Sequence, residues 1–246
     1  MIRVTQAQSL IGLNNDSRRI FTLSRLHYVL AFPIGINLGS GNMANKSSRK
    51  RGSYHIGNLD TLLLDEARLV LAEVGPTKLS LRGVSDRVGV SATATYHHFS
   101  NKNVLLAHLA AKGFHELSQV LRKRSNSSEP YDILRTGCIA YFKFARQNPE
   151  LYQLMFGPEI QAERSIAELK AARAEAFGDL RQIISEVTNE PADSKTVLDG
   201  ALASWSFTHG IASLFIHDVI HYPSSTDIKL VDKSLKALSQ IFLQGK

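Results

Sequence analysis

The sequence predicts an all-α protein, and three observations lead to that prediction. Apolar residues recur at steps of three and four from residue 59 onward, which is the spacing of amphipathic helices. Gly-Pro or Asn-Pro pairs interrupt this spacing at residues 75–76, 148–149 and 157–158, as they do at helix ends. No segment alternates apolar and polar residues for long enough to predict a strand.

The composition narrows the class of protein further. The 246 residues, 43% of them hydrophobic, suffice for one large domain or two small domains with a buried core. The single cysteine, Cys138, excludes an intrachain disulfide and a cysteine-rich zinc site, and it fits a reducing compartment such as the cytoplasm. Residues 26–38 carry no charge, but thirteen residues interrupted by Pro33 are too few to cross a bilayer, so no membrane partner is predicted.

The positive charge is concentrated near the start of the chain. Residues 1–58 hold eight Lys and Arg and one acidic residue, whereas residues 125–246 hold twelve basic and fifteen acidic residues. This asymmetry predicts a polyanionic partner for the front half only. Residues 1–54 are predicted to be a disordered or misassigned extension, on the hypothesis that Met43 is the true start and that the basic run at 46–51 is an arm. Such an arm either contacts DNA phosphates and the minor groove or merely solubilises the chain.

Four helices with recognisable start and stop signals are predicted between residues 55 and 124. Hydroxyl or amide side chains stand where helices begin, and Gly or Gly-Pro stands where they end. Two of the helices are short and are joined by a three-residue turn with a glycine, which is the geometry of a helix-turn-helix unit. The signals are, in chain order, Gly75-Pro76, Ser80, Gly89, Ser91 and either Ser100 or Asn101, the last opening a helix to about Arg124.

Residues 79–106, LSLRGVSDRVGVSATATYHHFSNKNVLL, resemble the DNA-binding motif of the TetR family of transcriptional repressors. The resemblance is carried by an ordered set of residues at the spacing of the family: Gly89, Val90, Ser91, Tyr96, His98, Phe99 and Lys102. The sequence departs from the family pattern at Thr95, where a large apolar residue is usual. A second departure is Gly83, because glycine inside a helix costs about 1 kcal/mol relative to alanine.

The resemblance implies two domains. Residues 55–124 are expected to form a three-helix DNA-binding domain with helix-turn-helix and connecting helix, and residues 125–246 a helical ligand-binding and dimerisation domain. The stretch SNSSEP at residues 125–130 predicts the linker between them. Helices of the second domain are predicted near residues 131–147, 149–156, 160–187, 194–219 and 229–244.

The second helix of a helix-turn-helix unit enters the major groove with its N-terminal residues near the base edges. Short side chains in that helix predict a close approach of the backbone to the bases, where Ala and Thr methyl groups suit thymine. Ser91 caps the helix and offers its hydroxyl to a phosphate, and Tyr96 and His97 are placed to donate to phosphates. His98 and Phe99 are predicted to pack inside. The predicted DNA contacts are Arg82, Ser91, Ala92, Thr93, Ala94, Thr95, Tyr96, His97 and Lys102.

The rear of the chain resembles the TetR subgroup whose C-terminal domain is named for Trp, His and Gly. Residues 150–159 and 205–214 carry this resemblance, the three letters being Trp205, His209 and Gly210. It implies a homodimer that binds a small-molecule inducer. The residues predicted to face the ligand cavity are Tyr152, Phe156, Trp205 and His209. Those predicted for the dimer contact are Leu198, Ala201, Leu202, Leu214, Leu235, Leu238, Ile241 and Phe242.

The function implied by the resemblance is a repressor released from a palindromic double-stranded operator by its inducer. The alternative, supported by Thr95 and Gly83, is a helical small-molecule-binding or scaffold protein without sequence-specific DNA binding. An enzyme is not predicted, since the sequence has no nucleophile elbow, phosphate loop, dinucleotide fingerprint or zinc-protease motif, and no catalytic residue or cofactor follows. His217 and His221 are four residues apart, as two metal ligands on a helix would be, but Pro223 soon ends that helix. A structural role is predicted for them, with no metal.

Overall fold

The computed structural model describes residues 59–124, 127–161, 166–220 and 227–243, and every regular element in these ranges is helical. The all-α prediction is confirmed. No helix within these ranges is both long and apolar enough to cross a membrane. The extension over residues 1–54, with Met43 and the basic run, lies outside the described residues. The elements are α1 (Leu59–Lys78), α2 (Leu81–Val88), α3 (Ala92–His98), α4 (Lys102–Arg122), α5 (Pro130–Gln147), α6 (Pro149–Phe156), a 3-10 turn (Pro158–Ile160), α7 (Ala167–Thr188), α8 (Lys195–Ile216) and α9 (Asp227–Leu243).

Helix α1 contains a kink at the position where the sequence predicted its end. Gly75 has φ 73° and ψ 172°, a backbone conformation that residues with a Cβ rarely adopt, and Pro76 follows it. The Leu79 amide donates to the Gly75 carbonyl at 3.3 Å, which ties the chain after the kink back to the helix. The Gly-Pro pair therefore bends α1, and the helix ends three residues later.

Side-chain caps open α2, α3 and α4, as predicted. In each helix the oxygen of the capping side chain accepts a hydrogen bond from the amide three residues later, at 3.0–3.1 Å. The capping residues are Ser80, Ser91 and Asn101. Gly89, with φ 80°, ends α2 in the left-handed region and turns the chain into α3. The local sequence thus fixes where each helix of the helix-turn-helix unit starts.

Helix α4 packs against helices from both parts of the chain. It contacts α1 as well as α5, α6 and α7. Its large apolar side chains are almost completely buried, and burying each one contributes about 1.5–3 kcal/mol. They include Leu105, Leu109, Phe114, Leu117 and Leu121, none more than 2% exposed. Because α4 begins directly after α3 and ends among the rear helices, it joins the helix-turn-helix unit to the C-terminal helices as one continuous rod.

Two rear helices are shorter than predicted. Helix α7 begins at Ala167 instead of residue 160, because Pro158 opens a separate 3-10 turn there. Helix α8 ends at Ile216 instead of residue 219, because Asp218 adopts a left-handed conformation with φ 55°. Helix α9 packs against α5, where Arg135 Nε donates to Asp232 Oδ1 at 2.7 Å.

Two residues predicted for the dimer contact are buried within the protomer. Ala201 is 0% exposed, because its side of α8 packs against α5 and α7. Leu235 is 7% exposed, because α9 lies on α5. For these two residues the prediction is wrong. In contrast, α8 leaves three predicted leucines exposed to solvent: Leu198, Leu202 and Leu214.

Candidate functional site

Helix α3 has a solvent-facing side made mostly of small residues. Ser91, Thr93, Tyr96 and His97 are exposed, and Ala92 and Ala94 between them are partly exposed. Arg82, the second residue of α2, is exposed as well, and Lys102 at the start of α4 is half-buried. We call these eight residues the recognition surface: Arg82, Ser91, Ala92, Thr93, Ala94, Tyr96, His97 and Lys102.

Thr95 is absent from this surface because it is fully buried. Its hydroxyl lies 2.7 Å from the Ser85 hydroxyl of α2, which also donates to the Leu81 carbonyl at 2.8 Å. The prediction that Thr95 contacts DNA is wrong, since α2 and α3 meet at this residue and a buried hydroxyl needs a partner. A hydrogen-bonded Ser–Thr pair therefore occupies the position for which the resemblance predicted a large apolar side chain.

Gly83, the second departure from the family pattern, lies against the cap of α2. Its amide donates to the Ser80 hydroxyl at 3.1 Å, and a Cβ added to Gly83 would lie 3.1 Å from the same oxygen. A larger residue would crowd the capping side chain. Glycine at this position therefore leaves room for the capping side chain, although its helix propensity is lower than that of most other residues.

At the end of α3, the Phe99 ring is packed in the core and the His98 ring is exposed. Phe99 is 2% exposed and packs edge-on against His108 of α4, with ring centroids 5.5 Å apart, so its predicted core position is confirmed. His98 is exposed, and the prediction that it packs inside is wrong. Helix α3 ends at Phe99, and the ring of His98 before it points away from the core.

Lys102 connects the start of α4 to the end of α1. Its Nζ donates to the Thr77 carbonyl at 2.8 Å, in the last turn of α1 after the Gly75 kink. The ammonium group therefore stays near the N-terminus of α4, where backbone amides also favour an anion. This placement suits a phosphate contact beside α3.

Ion pairs hold most of the carboxylates of residues 59–124. Arg87 of α2 bonds Glu66 and Glu73 of α1, each at 2.5 Å, and its guanidinium holds the pKa of Glu73 below the usual value. Two further pairs join α1 to α4, Arg68 with Glu116 at 3.2 Å and Lys112 with Asp65. Four of the six acidic residues in this segment are thus neutralised locally, which leaves the cations of the recognition surface less opposed.

The four residues predicted to face a ligand cavity lie together between α6 and α8. The Tyr152 hydroxyl lies 2.6 Å from His209 Nδ1. The Phe156 ring lies 4.5 Å from the His209 ring and 6.4 Å from the Trp205 ring, between centroids. Tyr141 of α5 extends the cluster, with its hydroxyl 3.0 Å from that of Tyr152.

Burial sets the protonation states in this cluster. It raises the pKa of both Tyr141 and Tyr152 and lowers the pKa of His209. At neutral pH both hydroxyls keep their protons and the imidazole is uncharged. We assign the Tyr152 hydroxyl as donor to His209 Nδ1, which leaves the ring proton of His209 on Nε2.

Two clefts border the cluster, and Phe156 lines both of them. The Arg173 cleft, of about 370 Å³, is lined by Phe114, Met155, Phe156, Gly157, Arg173 and Trp205. The Pro76 cleft, of about 450 Å³, is lined by residues of α1, α6, the 3-10 turn and α8, among them Pro76, Tyr152, Phe156, Glu159, His209 and Ser213. Both volumes fall in the range of small-molecule sites, about 300–1,000 Å³.

A row of polar contacts between α4 and α7 was not predicted from the sequence. Glu175 of α7 bonds His115 Nδ1 at 2.5 Å and Arg122 at 2.7 Å, and Asp179 bonds Arg122 at 2.8 Å. The Ser118 hydroxyl bonds both carboxylates. The only sequence signal was the spacing of polar residues, three and four apart on α4 and four apart on α7. This row fastens the two helices together.

His217 stands at the C-terminal end of α8, where its Nδ1 donates to the Ser213 carbonyl at 2.8 Å. Within the described ranges, no three His, Cys, Asp or Glu residues come together as a metal site. His221, the second histidine of the pair, lies outside those ranges.

In this fold, one long helix joins a helix-turn-helix unit with an exposed second helix to a helical body that contains an aromatic cluster. This is the architecture of a DNA-binding regulator. Two family models match the chain. Residues 63–109 match the model described as bacterial regulatory proteins, tetR family, and residues 134–238 match the tetracyclin repressor-like C-terminal domain. The chain belongs to the TetR family of DNA-binding transcriptional regulators, which are not enzymes.

Similar proteins cover most of the chain. The HTH-type transcriptional regulator YobS of Bacillus subtilis (strain 168), which is uncharacterised, is 25% identical over 78% of this chain and 95% of its own length. The nucleoid occlusion factor SlmA of Cronobacter sakazakii is 24% identical over 76% of this chain and 94% of its own length. A solved structure from Rhodococcus sp. RHA1, of unknown function, is 27% identical and superposes with a TM-score of 0.62 over 79% of this chain and 98% of that one.

Proposed function

We propose that the protein is a homodimeric repressor in the cytoplasm that a small-molecule ligand releases from a palindromic operator. Residues 55–124 form its DNA-binding domain and residues 125–246 its ligand-binding and dimerisation domain. The contact between α4 and the aromatic cluster carries this proposal, since Phe114 of α4 packs on Phe156 with ring centroids 5.4 Å apart. A ligand that displaces Phe156 therefore acts on the helix that begins beside α3. It shifts the equilibrium only by its differential affinity for the two arrangements.

The recognition surface is assigned to DNA by its exposure and chemistry. The small residues of α3 allow the helix backbone close to the base edges, with Thr93 as an exposed hydroxyl and methyl. Tyr96, 53% exposed, and His97 extend beyond them toward the phosphates. No arginine lies in α3 to read guanine in a bidentate manner, so specificity depends on DNA shape and on Arg82.

Replacement of Lys102 by Ala tests the phosphate contact. We expect weaker binding to every DNA sequence, and a salt dependence of log K whose slope is smaller by about 1, because one phosphate contact is lost. Fluorescence anisotropy against specific and random duplexes between low and high salt measures both quantities. Lys143→Ala removes an exposed lysine of α5 as the control and should change neither. A Lys102→Ala defect confined to one sequence would contradict the phosphate role.

The exposed face of α8 is proposed as the dimer contact. Leu198, Leu202 and Leu214 are 39%, 62% and 43% exposed, although leucine is usually buried. Ala203 and Ser206 are exposed among them, and a Cβ added to Gly210 would meet nothing within 4 Å of its own protomer. Small residues between large apolar ones allow a second helix to approach closely. A two-fold dimer places the two recognition helices about 34–36 Å apart, one turn of DNA.

Leu202→Glu should convert the dimer to a monomer, since it places a charge in the middle of an apolar contact. Sedimentation velocity at micromolar concentration measures the mass, and affinity for a palindromic site should fall with it. Leu69→Glu makes the same change at another exposed leucine, on α1, and should leave the mass unchanged. A Leu202→Glu protein that remains a dimer would refute this face.

The ligand is proposed to bind at the aromatic cluster of Tyr152, Phe156, Trp205 and His209. The adjoining clefts and the polar chain from Tyr141 to His209 support this assignment, because small-molecule sites combine apolar walls with a few polar groups. The presence of Trp205 and His209 in that cluster also supports assignment to the subgroup named for Trp, His and Gly. The alternative of a scaffold without DNA binding has lost its basis, since Thr95 and Gly83 both have packing roles in the helix-turn-helix unit.

A further inference from the structure

The Pro76 cleft lies where the DNA-binding helices meet the C-terminal helices. Pro76 belongs to the last turn of α1, Tyr152 and Phe156 to α6, and His209 and Ser213 to α8, and all line the same space of about 450 Å³. Helix α1 packs on α6 at this junction. An occupant of the cleft therefore touches both parts of the regulator at once.

Glu159 is the only Asp, Glu, Lys or Arg among the described residues that line this cleft, which two histidines, His209 and His217, also line. The Glu159 side chain bends back over Gly157, where an added Cβ would collide with that carboxylate and with the Gln153 carbonyl. No lysine or arginine is among the described residues that line the cleft. His209 is uncharged at neutral pH because burial lowers its pKa. The charge of this lining therefore favours a cationic ligand.

Aromatic rings provide the other half of a cation site. The Phe156 ring, which is partly exposed, lies 4.9 Å from the buried Tyr152 ring and 4.5 Å from the His209 ring, between centroids. The faces of Phe and Tyr rings attract a cation within about 6 Å, and they also stack with the rings of a ligand. The Arg173 cleft beyond Phe156 is lined by a guanidinium group instead of a carboxylate.

We propose that the Pro76 cleft binds an organic ammonium ion that carries an aromatic ring, held between Glu159 and the Phe156 ring. The ligand touches Pro76, one residue after the Gly75 kink. The next residue, Thr77, accepts the hydrogen bond from Lys102 Nζ at the start of α4. Occupancy therefore acts on the junction of α1 and α4 directly, beside the recognition surface. The release of DNA rests on the proposed function, whereas the binding of the cation does not.

Binding is tested with benzyltrimethylammonium on the intact dimer, against phenylacetate and the uncharged neopentylbenzene. Trp205 is the single tryptophan and lies 6.4 Å from Phe156, so its fluorescence reports on the cluster. We expect the ammonium compound to bind about tenfold more tightly than either comparison compound, and Glu159→Gln to remove that advantage. Glu129→Gln, at an exposed carboxylate before α5, is the matched control and should keep it. Equal binding of phenylacetate, or an unaffected Glu159→Gln protein, would overturn the proposal.

A second variant tests where the ammonium compound binds, and a second measurement tests whether its binding releases DNA. Ser213→Phe fills the cleft while keeping the Glu159 charge, and it should abolish ammonium binding; unchanged binding would place the ligand elsewhere and overturn the site. Anisotropy with labelled operator then measures whether the ammonium compound weakens DNA binding of the wild-type dimer. Binding of the ammonium compound without DNA release supports the site and contradicts ligand-controlled release. DNA binding without any ammonium binding contradicts the site alone.

Discussion

Thr93→Asp is expected to reduce operator affinity by about a hundredfold or more without lowering thermal stability. Thr93 is exposed in the first turn of α3, so the new carboxylate loses no buried contact, and the helix dipole favours an acid there. In the complex the same carboxylate would face the phosphates and base edges of DNA, and the negative charge of the phosphates would repel it. A hundredfold loss corresponds to about 2.7 kcal/mol.

This variant is informative because we expect it to lose affinity for DNA while its thermal stability is unchanged. Anisotropy measures the affinity and differential scanning calorimetry the melting temperature. Ala167→Asp adds the same charge to the exposed first turn of α7 and should leave the affinity unchanged. Unchanged operator binding by Thr93→Asp would contradict the placement of α3 against DNA.

Gly113→Leu is expected to have the largest effect on stability. Gly113 is buried where α4 crosses α6, and a Cβ added there would lie 2.7 Å from Met155 Sδ and 2.9 Å from Leu151 Cδ2. A leucine in this space must push the two helices apart, and such overpacking lowers the free energy of unfolding by about 3 kcal/mol. For a chain of this size the melting temperature should fall by about 6–12 °C.

Gly178→Leu makes the same substitution in α7, where an added Cβ meets nothing within 4 Å. It should leave stability unchanged or raise it, since leucine favours helix over glycine by about 0.8 kcal/mol. Thermal and urea unfolding of both variants distinguish close packing from helix propensity. Equal melting temperatures for the two proteins would mean that α4 and α6 do not approach each other at Gly113.

The sequence predicts the local features of this fold well, because local chemistry determines them. The serine caps of α2 and α3, the left-handed Gly89 and the exposed α3 all follow from residues within a few positions of each other. The direction of Thr95 did not follow, since it depends on how α2 lies across α3. A signal was nevertheless present: a position that the resemblance assigns to a large apolar residue is expected to point inward.

The candidate ligand site was only partly predictable for the same reason. Aromatic residues at helical spacing and a histidine identified Tyr152, Phe156, Trp205 and His209, and the fold brings them together. The contribution of Pro76 came from the packing of α1 on α6, some 75 residues apart in sequence. The bonds of Glu175 to α4 likewise depend on the pairing of two long helices. No residue pattern within a single helix determines such a pairing.

Selection of DNA from random genomic fragments tests whether α3 recognises a specific DNA sequence. The purified dimer is titrated with the fragments, and the retained DNA is sequenced. We expect an enriched palindrome with half-sites about one helical turn apart, which wild type binds and Thr93→Asp does not. Retention of fragments without any enriched sequence would contradict sequence-specific recognition by α3.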